Sequence, residues 1–272
     1  MPRLVAQVLV QTTQTLAMSG AQRAGTATRF YLTAAIVLLL ITLWGFSATY
    51  FAPLFGHTSA FGGRVADLPL IVHVHGWSFF LWYVLLITQT TLIRRRRVRA
   101  HRRLGISSVV LAAVMVLSGI ITIAFNIHLT MENQGPPVWR TGGLGIFSTL
   151  VLFVLFYGLG IKNRARAEVH KRLMLMAAVP ALGAAVGRIL LVAFAPLPMN
   201  VAAGILLTNL LIVAAMAYDK IVHGRVHPVY CAGLAVCLLT EMIALALPHT
   251  TPGESVLGVF SSVGSYLGVF YR

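Results

Sequence analysis

Long apolar runs alternate with short clusters of arginine and lysine along most of this chain, and the runs share one length. Each residue of an α-helix advances the chain about 1.5 Å, so about 20 apolar residues cross a bilayer's hydrocarbon core. Seven runs meet that length, at about 30–51, 69–93, 104–127, 143–161, 172–195, 200–218 and 228–247. They predict an all-α, polytopic transmembrane bundle occupying 30–247. Residues 1–29 are polar enough for a cytoplasmic tail, because Gln7 and Gln11 interrupt the apolar stretch a signal peptide would need. In the last stretch, 248–272, Ser255 to Tyr271 is apolar and Gly-rich. At about 17 residues it is read as a helix lying at the outer interface, with a short eighth crossing as the alternative.

Composition agrees. Of 272 residues, 58% are hydrophobic and 10% charged, too few charges to cover a water-facing surface. A soluble enzyme and a disordered chain are both excluded. The formal charge of +15, from 21 Lys+Arg against 6 Asp+Glu, invites a nucleic-acid partner, but the positions of the charges reject it. Seventeen of the 21 lie in Arg3 to Arg29, Arg94 to Arg103, Lys162 to Arg172 and Lys220 to Arg225. Basic residues in alternate loops mark positive-inside orientation. The charge therefore predicts topology, with the N-terminus and the basic loops in the cytoplasm of a bacterial inner membrane. Cys231 and Cys237 share one apolar run and offer neither a disulfide framework nor a zinc motif.

The chain also repeats itself. Ala100-His101-Arg102-Arg103-Leu104 returns as Val169-His170-Lys171-Arg172-Leu173, an offset of 69 residues, and Ala124-Phe125 returns as Ala193-Phe194. A fainter third copy is Val226-His227-Pro228-Val229. The architecture this predicts is one leading helix plus three parallel helical hairpins, each turning through a basic loop. Gly105, Ser108, Ala112 and Gly119 lie along one side of the third helix, and Gly183 and Gly187 form a G-x-x-x-G pair in the fifth. Small residues let membrane helices approach closely. Pro180 is the one residue expected to kink a crossing.

Ionisable groups inside a crossing are costly and face protein or water. Four stand out: His73, His75, Arg188 and Glu241. His75 lies about 9 Å below Pro69, Arg188 about 24 Å from the basic side and Glu241 about 18 Å from it. All are thus expected in the outer half. Arg188 and Glu241 are expected to face each other as a structural ion pair, with Arg188 as an anchor for an acidic ligand the alternative. His75 shares a helical stripe with Phe79, Trp82, Leu86 and Gln89, which is read as facing protein. His73 points elsewhere, since residues two apart diverge by about 200°.

The second constellation is at the basic side, where His101, His170 and the fainter His227 open the return helices. Neutral imidazoles are good iron ligands, and Arg102, Arg103, Lys171 and Arg172 would pair with porphyrin propionates. The competing reading is an interfacial anchor for lipid phosphates.

His75-Gly76, Gln89, His101-Arg102-Arg103-Leu104-Gly105 and His170-Lys171-Arg172-Leu173 together resemble a family of uncharacterised bacterial multi-pass membrane proteins. The resemblance covers about residues 30–247 and implies a membrane location without a settled activity. More distantly, the layout is similar to the ascorbate-reducible transmembrane cytochromes b, in which four consecutive helices supply four histidines to two haems. That likeness implies haem b, with His101 and His170 as the inner ligands and His75 as an outer one. The repeat offset puts Leu144 where the partner of His75 should stand, which leaves only the inner pair complete. Three functions follow as expectations: a b-type haem electron carrier, a haem-free accessory or scaffold subunit binding lipid or other membrane subunits, and a permease or membrane enzyme using His75, Arg188 and Glu241.

Overall fold

The computed structural model describes residues 29–59, 65–135, 138–194 and 200–271. Of the tail expected over 1–29, all but Arg29, which opens the first helix, lies outside them. Every regular element among the described residues is helical. Seven helices are long and apolar enough to span a bilayer: α1 (Arg29–Leu54), α2 (Leu70–Arg94), α3 (Val98–Met131), α4 (Val138–Lys162), α5 (Ala167–Phe194), α6 (Val201–His223) and α7 (Pro228–His249). A shorter α8 (Thr251–Leu267) follows. The chain is an integral, multi-pass membrane protein. From α2 onward each helix packs against the next along the chain, α5 against α6 more extensively than α6 against α7, so the packing does not separate the three predicted hairpins from one another; α4 and α5 are the most buried of the seven.

The helices after the basic loops begin earlier than their apolar runs. α3 starts at Val98 and α5 at Ala167, because Arg and Lys are good helix formers whose charged ends reach water from the first turn. His101 and His170 are thus each the fourth residue of a helix, in equivalent places. The third copy departs from this. Pro228 opens α7, and His227 before it is the N-cap, its Nδ1 accepting from the Val229 N–H at 3.2 Å. Proline suits the first helical position, where no N–H is needed. The third histidine is therefore a cap outside its helix.

Helix faces follow from the pattern. On α3, Ile106, Val110 and Leu117 are exposed, while Ser108, Ala112, Met115 and Gly119 on the opposite side are buried. In lipid the exposed stripe costs nothing, and the small stripe admits α2 and α4. The Ser108 hydroxyl meets the Tyr157 hydroxyl of α4 at 2.8 Å. Gly204 of α6 lies against the predicted pair in α5: a Cβ there would fall 2.4 Å from the Gly187 nitrogen and 2.7 Å from the Gly183 carbonyl oxygen. Gly45 of α1 approaches the Ala185 carbonyl as closely.

Two prolines break helices, and a hydroxyl repairs each break. At Pro180 the helix tightens into a 3-10 turn over Pro180–Leu182, and the Leu182 N–H bonds Val179 instead of Ala178. The buried Tyr83 hydroxyl of α2 donates to the freed Ala178 carbonyl at 3.1 Å. Pro53 in α1 follows a widened π-helical turn at Ser47–Phe51, which the sequence reading missed. Pro53 has no N–H for the Thr49 carbonyl, and the Ser59 hydroxyl donates there at 3.2 Å.

α8 crosses the far end of α3. Along it, Ser261 meets His128 and the Tyr271 hydroxyl that follows α8 meets Asn126 of α3. Gly264 sits against the Ala124 carbonyl at the crossing.

Candidate functional site

The end of the bundle carrying the basic loops is called the basic end here, and the opposite one the far end. At the basic end the two repeat histidines come together. The rings of His101 on α3 and His170 on α5 lie with centroids 6.3 Å apart and planes 84° apart. Both are half-buried. The Nδ1 atom of each is already engaged. His170 Nδ1 lies 2.8 Å from the Gly160 carbonyl oxygen of α4; a carbonyl only accepts, so this nitrogen carries a hydrogen, and in the neutral ring the lone pair is then on Nε2. Gln89 of α2 reaches His101. With its amide turned so that both ends are satisfied, it donates to His101 Nδ1 at 2.6 Å and to the His101 carbonyl at 3.2 Å. Its oxygen accepts from the Gly105 N–H at 3.0 Å. Gln89, His101 and Gly105 thus form one unit, which gives the His-Arg-x-Leu-Gly motif and its upstream Gln a physical reason.

The basic residues divide into two groups. Arg102 and Arg103 are exposed beside His101, and Lys171 is half-buried and bonded to Glu168 at 2.7 Å. Arg172 is different. Its side chain is 3% exposed and grips Asp219 of α6 with Nε at 2.9 Å and Nη2 at 2.7 Å. Nη1 takes the Glu168 carboxylate at 2.7 Å and the Glu168 carbonyl at 2.8 Å. A forked guanidinium filling both carboxylate oxygens is the strong form of this pair. Arg172 is therefore committed to Asp219 here, where the sequence reading has it beside a propionate. Sequence reasoning missed Asp219. The signal was available, since it is the one acid of α6, in Tyr218-Asp219-Lys220.

The pair organises its surroundings. Asp219 also accepts from the His227 N–H at 3.2 Å. Tyr230 of α7 lies beneath the Arg172 guanidinium and shares a 3.2 Å hydrogen bond with Tyr31 of α1. Phe30 stacks on Tyr218 at 3.8 Å. Burial, and then the Arg172 charge, lowers the pKa of His227 in the loop before α7, in keeping with a neutral ring whose Nδ1 accepts.

Nearer the far end, the predicted polar residues separate. His75 does face protein, with Phe79 at 4.7 Å between ring centroids and Nδ1 3.4 Å from the Ser118 hydroxyl of α3. Trp82 and Leu86 below it are buried, as the stripe predicts. His73 points to α1, where its Nδ1 meets the Tyr50 hydroxyl at 2.6 Å. Arg188 lies over the Phe46 ring of α1 at 4.4 Å and donates to the Ala184 carbonyl at 3.2 Å. Glu241 is fully buried and takes the Asn209 amide of α6 on one oxygen, while its other oxygen has no protein partner. The expected pairing of Arg188 with Glu241 is replaced by Glu241 with Asn209. Charge complementarity suggested the first; helix rotation, which the sequence does not state, decided the second. Beyond the bundle, Arg140 and Glu254 pair at 2.9 Å across an open cleft of about 470 Å³.

No family model, curated protein or solved structure matches this chain.

Proposed function

We propose that this protein is a b-type haem carrier of a bacterial inner membrane, with its basic loops in the cytoplasm and His101 and His170 as the axial ligands. The observation behind the reading is the histidine pair. Two imidazoles sharing one metal, each with nitrogen about 2 Å from it, put their ring centres about 6 Å apart, and the pair stands at 6.3 Å. Metal-binding histidines are oriented by a partner on the other ring nitrogen. Gly160 fills that role for His170. Gln89 meets His101 Nδ1 as a donor; to orient His101 for ligation through Nε2 it would turn its amide oxygen to Nδ1 and give up its bonds to the His101 carbonyl and the Gly105 N–H. Arg102, Arg103 and Lys171 are the cations for the propionates. Haem b supplies a one-electron redox centre where it binds.

The test is a reduced-minus-oxidised spectrum of the purified protein and of membranes from an overexpressing strain. The reading expects the α-band of a bis-imidazole haem, lost in His101→Ala and in His170→Ala. A colourless protein, or an unchanged band in both variants, refutes it. A second reading rests on the Glu168–Arg172–Asp219 network, which spends basic-end charge on holding helices together. That favours a haem-free accessory subunit of a larger membrane complex. It expects no visible absorption, His101→Gln tolerated, and co-purification with partner subunits.

A further inference from the structure

Glu241 and Asn209 stand apart from the histidine pair and have no part in the reading above. Glu241 lies 13 residues into α7, about 20 Å from the basic end, and is 0% exposed; Asn209 is 5% exposed. The amide donates to Glu241 Oε2. Glu241 Oε1 and Asn209 Oδ1, both buried, then have no protein partner. Two unmet acceptors side by side in a dry interior are costly, and a bare carboxylate charge costs far more than an amide.

Nothing nearby offsets that charge. α7 packs against α4, α5 and α6, whose titratable groups closest in depth are Tyr157, Arg188 and Asp219. Counted from the observed helix ends at Lys162, Ala167, His223 and Pro228, each of these stands roughly 10–15 Å from the level of Glu241 along the bundle, by the rise per residue. The neighbouring titratable group on α7 itself is the Cys237 thiol, one turn back. A metal cation needs several ligands, and no group of three or more His, Cys, Asp or Glu occurs among the described residues. A proton needs one oxygen.

We propose that Glu241 and Asn209 form a proton-binding site inside the bundle. An amide beside a carboxyl serves both forms of it: its N–H donates to the carboxylate, and after rotation its oxygen accepts from the carboxylic acid. Uptake moves one proton onto a Glu241 oxygen, neutralises the charge and breaks no other bond.

Infrared spectroscopy of the full-length protein in lipid nanodiscs, between about pH 5 and about pH 9, tests this directly. The expected result is the carbonyl stretch of a protonated carboxylic acid that shifts on deuteration, weakens at the alkaline end and vanishes in Glu241→Gln. Asn209→Leu should move the band toward that of an unbonded acid. The four glutamates are Glu132, Glu168, Glu241 and Glu254. Carbon-13 labelling of glutamate carboxyls in the wild type keeps the test open if a variant fails to fold, because the band must then show the isotope shift. No acid band with that shift at any pH overturns the proposal, as does displacement of the band by sodium ions at constant pH. A band unmoved in Asn209→Leu overturns the pairing. None of these outcomes depends on whether haem binds.

Discussion

Asp219→Asn strikes the most deeply committed charge pair in the molecule. The Asp219 carboxylate takes two N–H groups of Arg172 at 2.7 and 2.9 Å, and the two side chains are 1% and 3% exposed. Asparagine keeps the volume but removes the charge and turns an amide hydrogen toward a guanidinium. Breaking a buried pair on one side costs about 3–5 kcal/mol, because the partner is left charged without compensation. Arg172 retains Glu168 on Nη1, so the lower end, about 3 kcal/mol, is expected. At about 2–4 °C per kcal/mol for a chain of this size, the apparent midpoint should fall by roughly 6–12 °C. Arg172→Met with Asp219→Leu removes both charges, and with them the desolvation cost. The double variant should recover most of the loss and sit well above the sum of the singles. Thermal unfolding of the full-length protein in nanodiscs, followed by tryptophan fluorescence, measures the wild type, Arg172→Met, Asp219→Leu and the double variant, the four corners of this cycle. A single variant within about 2 °C of wild type, or a double variant equal to the sum of the singles, would refute the reasoning. Arg172→Met should also leave any haem spectrum in place, because this side chain belongs to Asp219.

Three further outcomes are expected. Tyr83→Phe leaves the Ala178 carbonyl beside Pro180 without its donor and should cost about 1–3 kcal/mol, read as a lower midpoint; no change would mean that the carbonyl finds another partner. Gly204→Ala drives a Cβ into the Gly187 backbone and should cost about 1–3 kcal/mol, whereas Gly158→Ala, with open space around it, should be neutral or stabilising by up to about 1 kcal/mol. Equal effects of the two glycine changes would dispose of the close α5–α6 approach. His227 should make stability pH-dependent. Its folded-state pKa is lowered, first by burial and then by Arg172, so its contribution is complete above the ordinary histidine value near 6.5 and is lost as pH falls below it. His227→Asn, which retains a capping side chain, should flatten the midpoint profile between about pH 7 and about pH 5; a profile that keeps its slope would assign the dependence to another group.

The basic-end site was half legible in the sequence. His101 and His170 were visible because a repeat marks equivalent positions, and equal helix starts place them in the same turn. Gln89 was visible as one end of a stripe and as a motif residue, but not as a partner of His101. Its bond to His101 depends on the short turn between α2 and α3, where Arg96 takes a left-handed φ of 56° that no pattern of hydrophobicity announces. The pairing of Arg172 with Asp219 was not legible because a run of cations reads as one feature, while burial singled out the member facing Asp219.

By itself the sequence determined the number of crossings, roughly where each one runs and the loops that carry the charge. These are one-dimensional quantities, set by how many apolar residues span a hydrocarbon layer and where cations must stay wet. Tertiary structure alone decided which polar groups meet. Rotation of each helix about its axis fixes that, and it depends on small-residue contacts such as Gly204 on Gly187. A turn of about 100° per residue separates a partner from a stranger. Glu241 met Asn209, Arg172 met Asp219 and His101 met His170 for that reason.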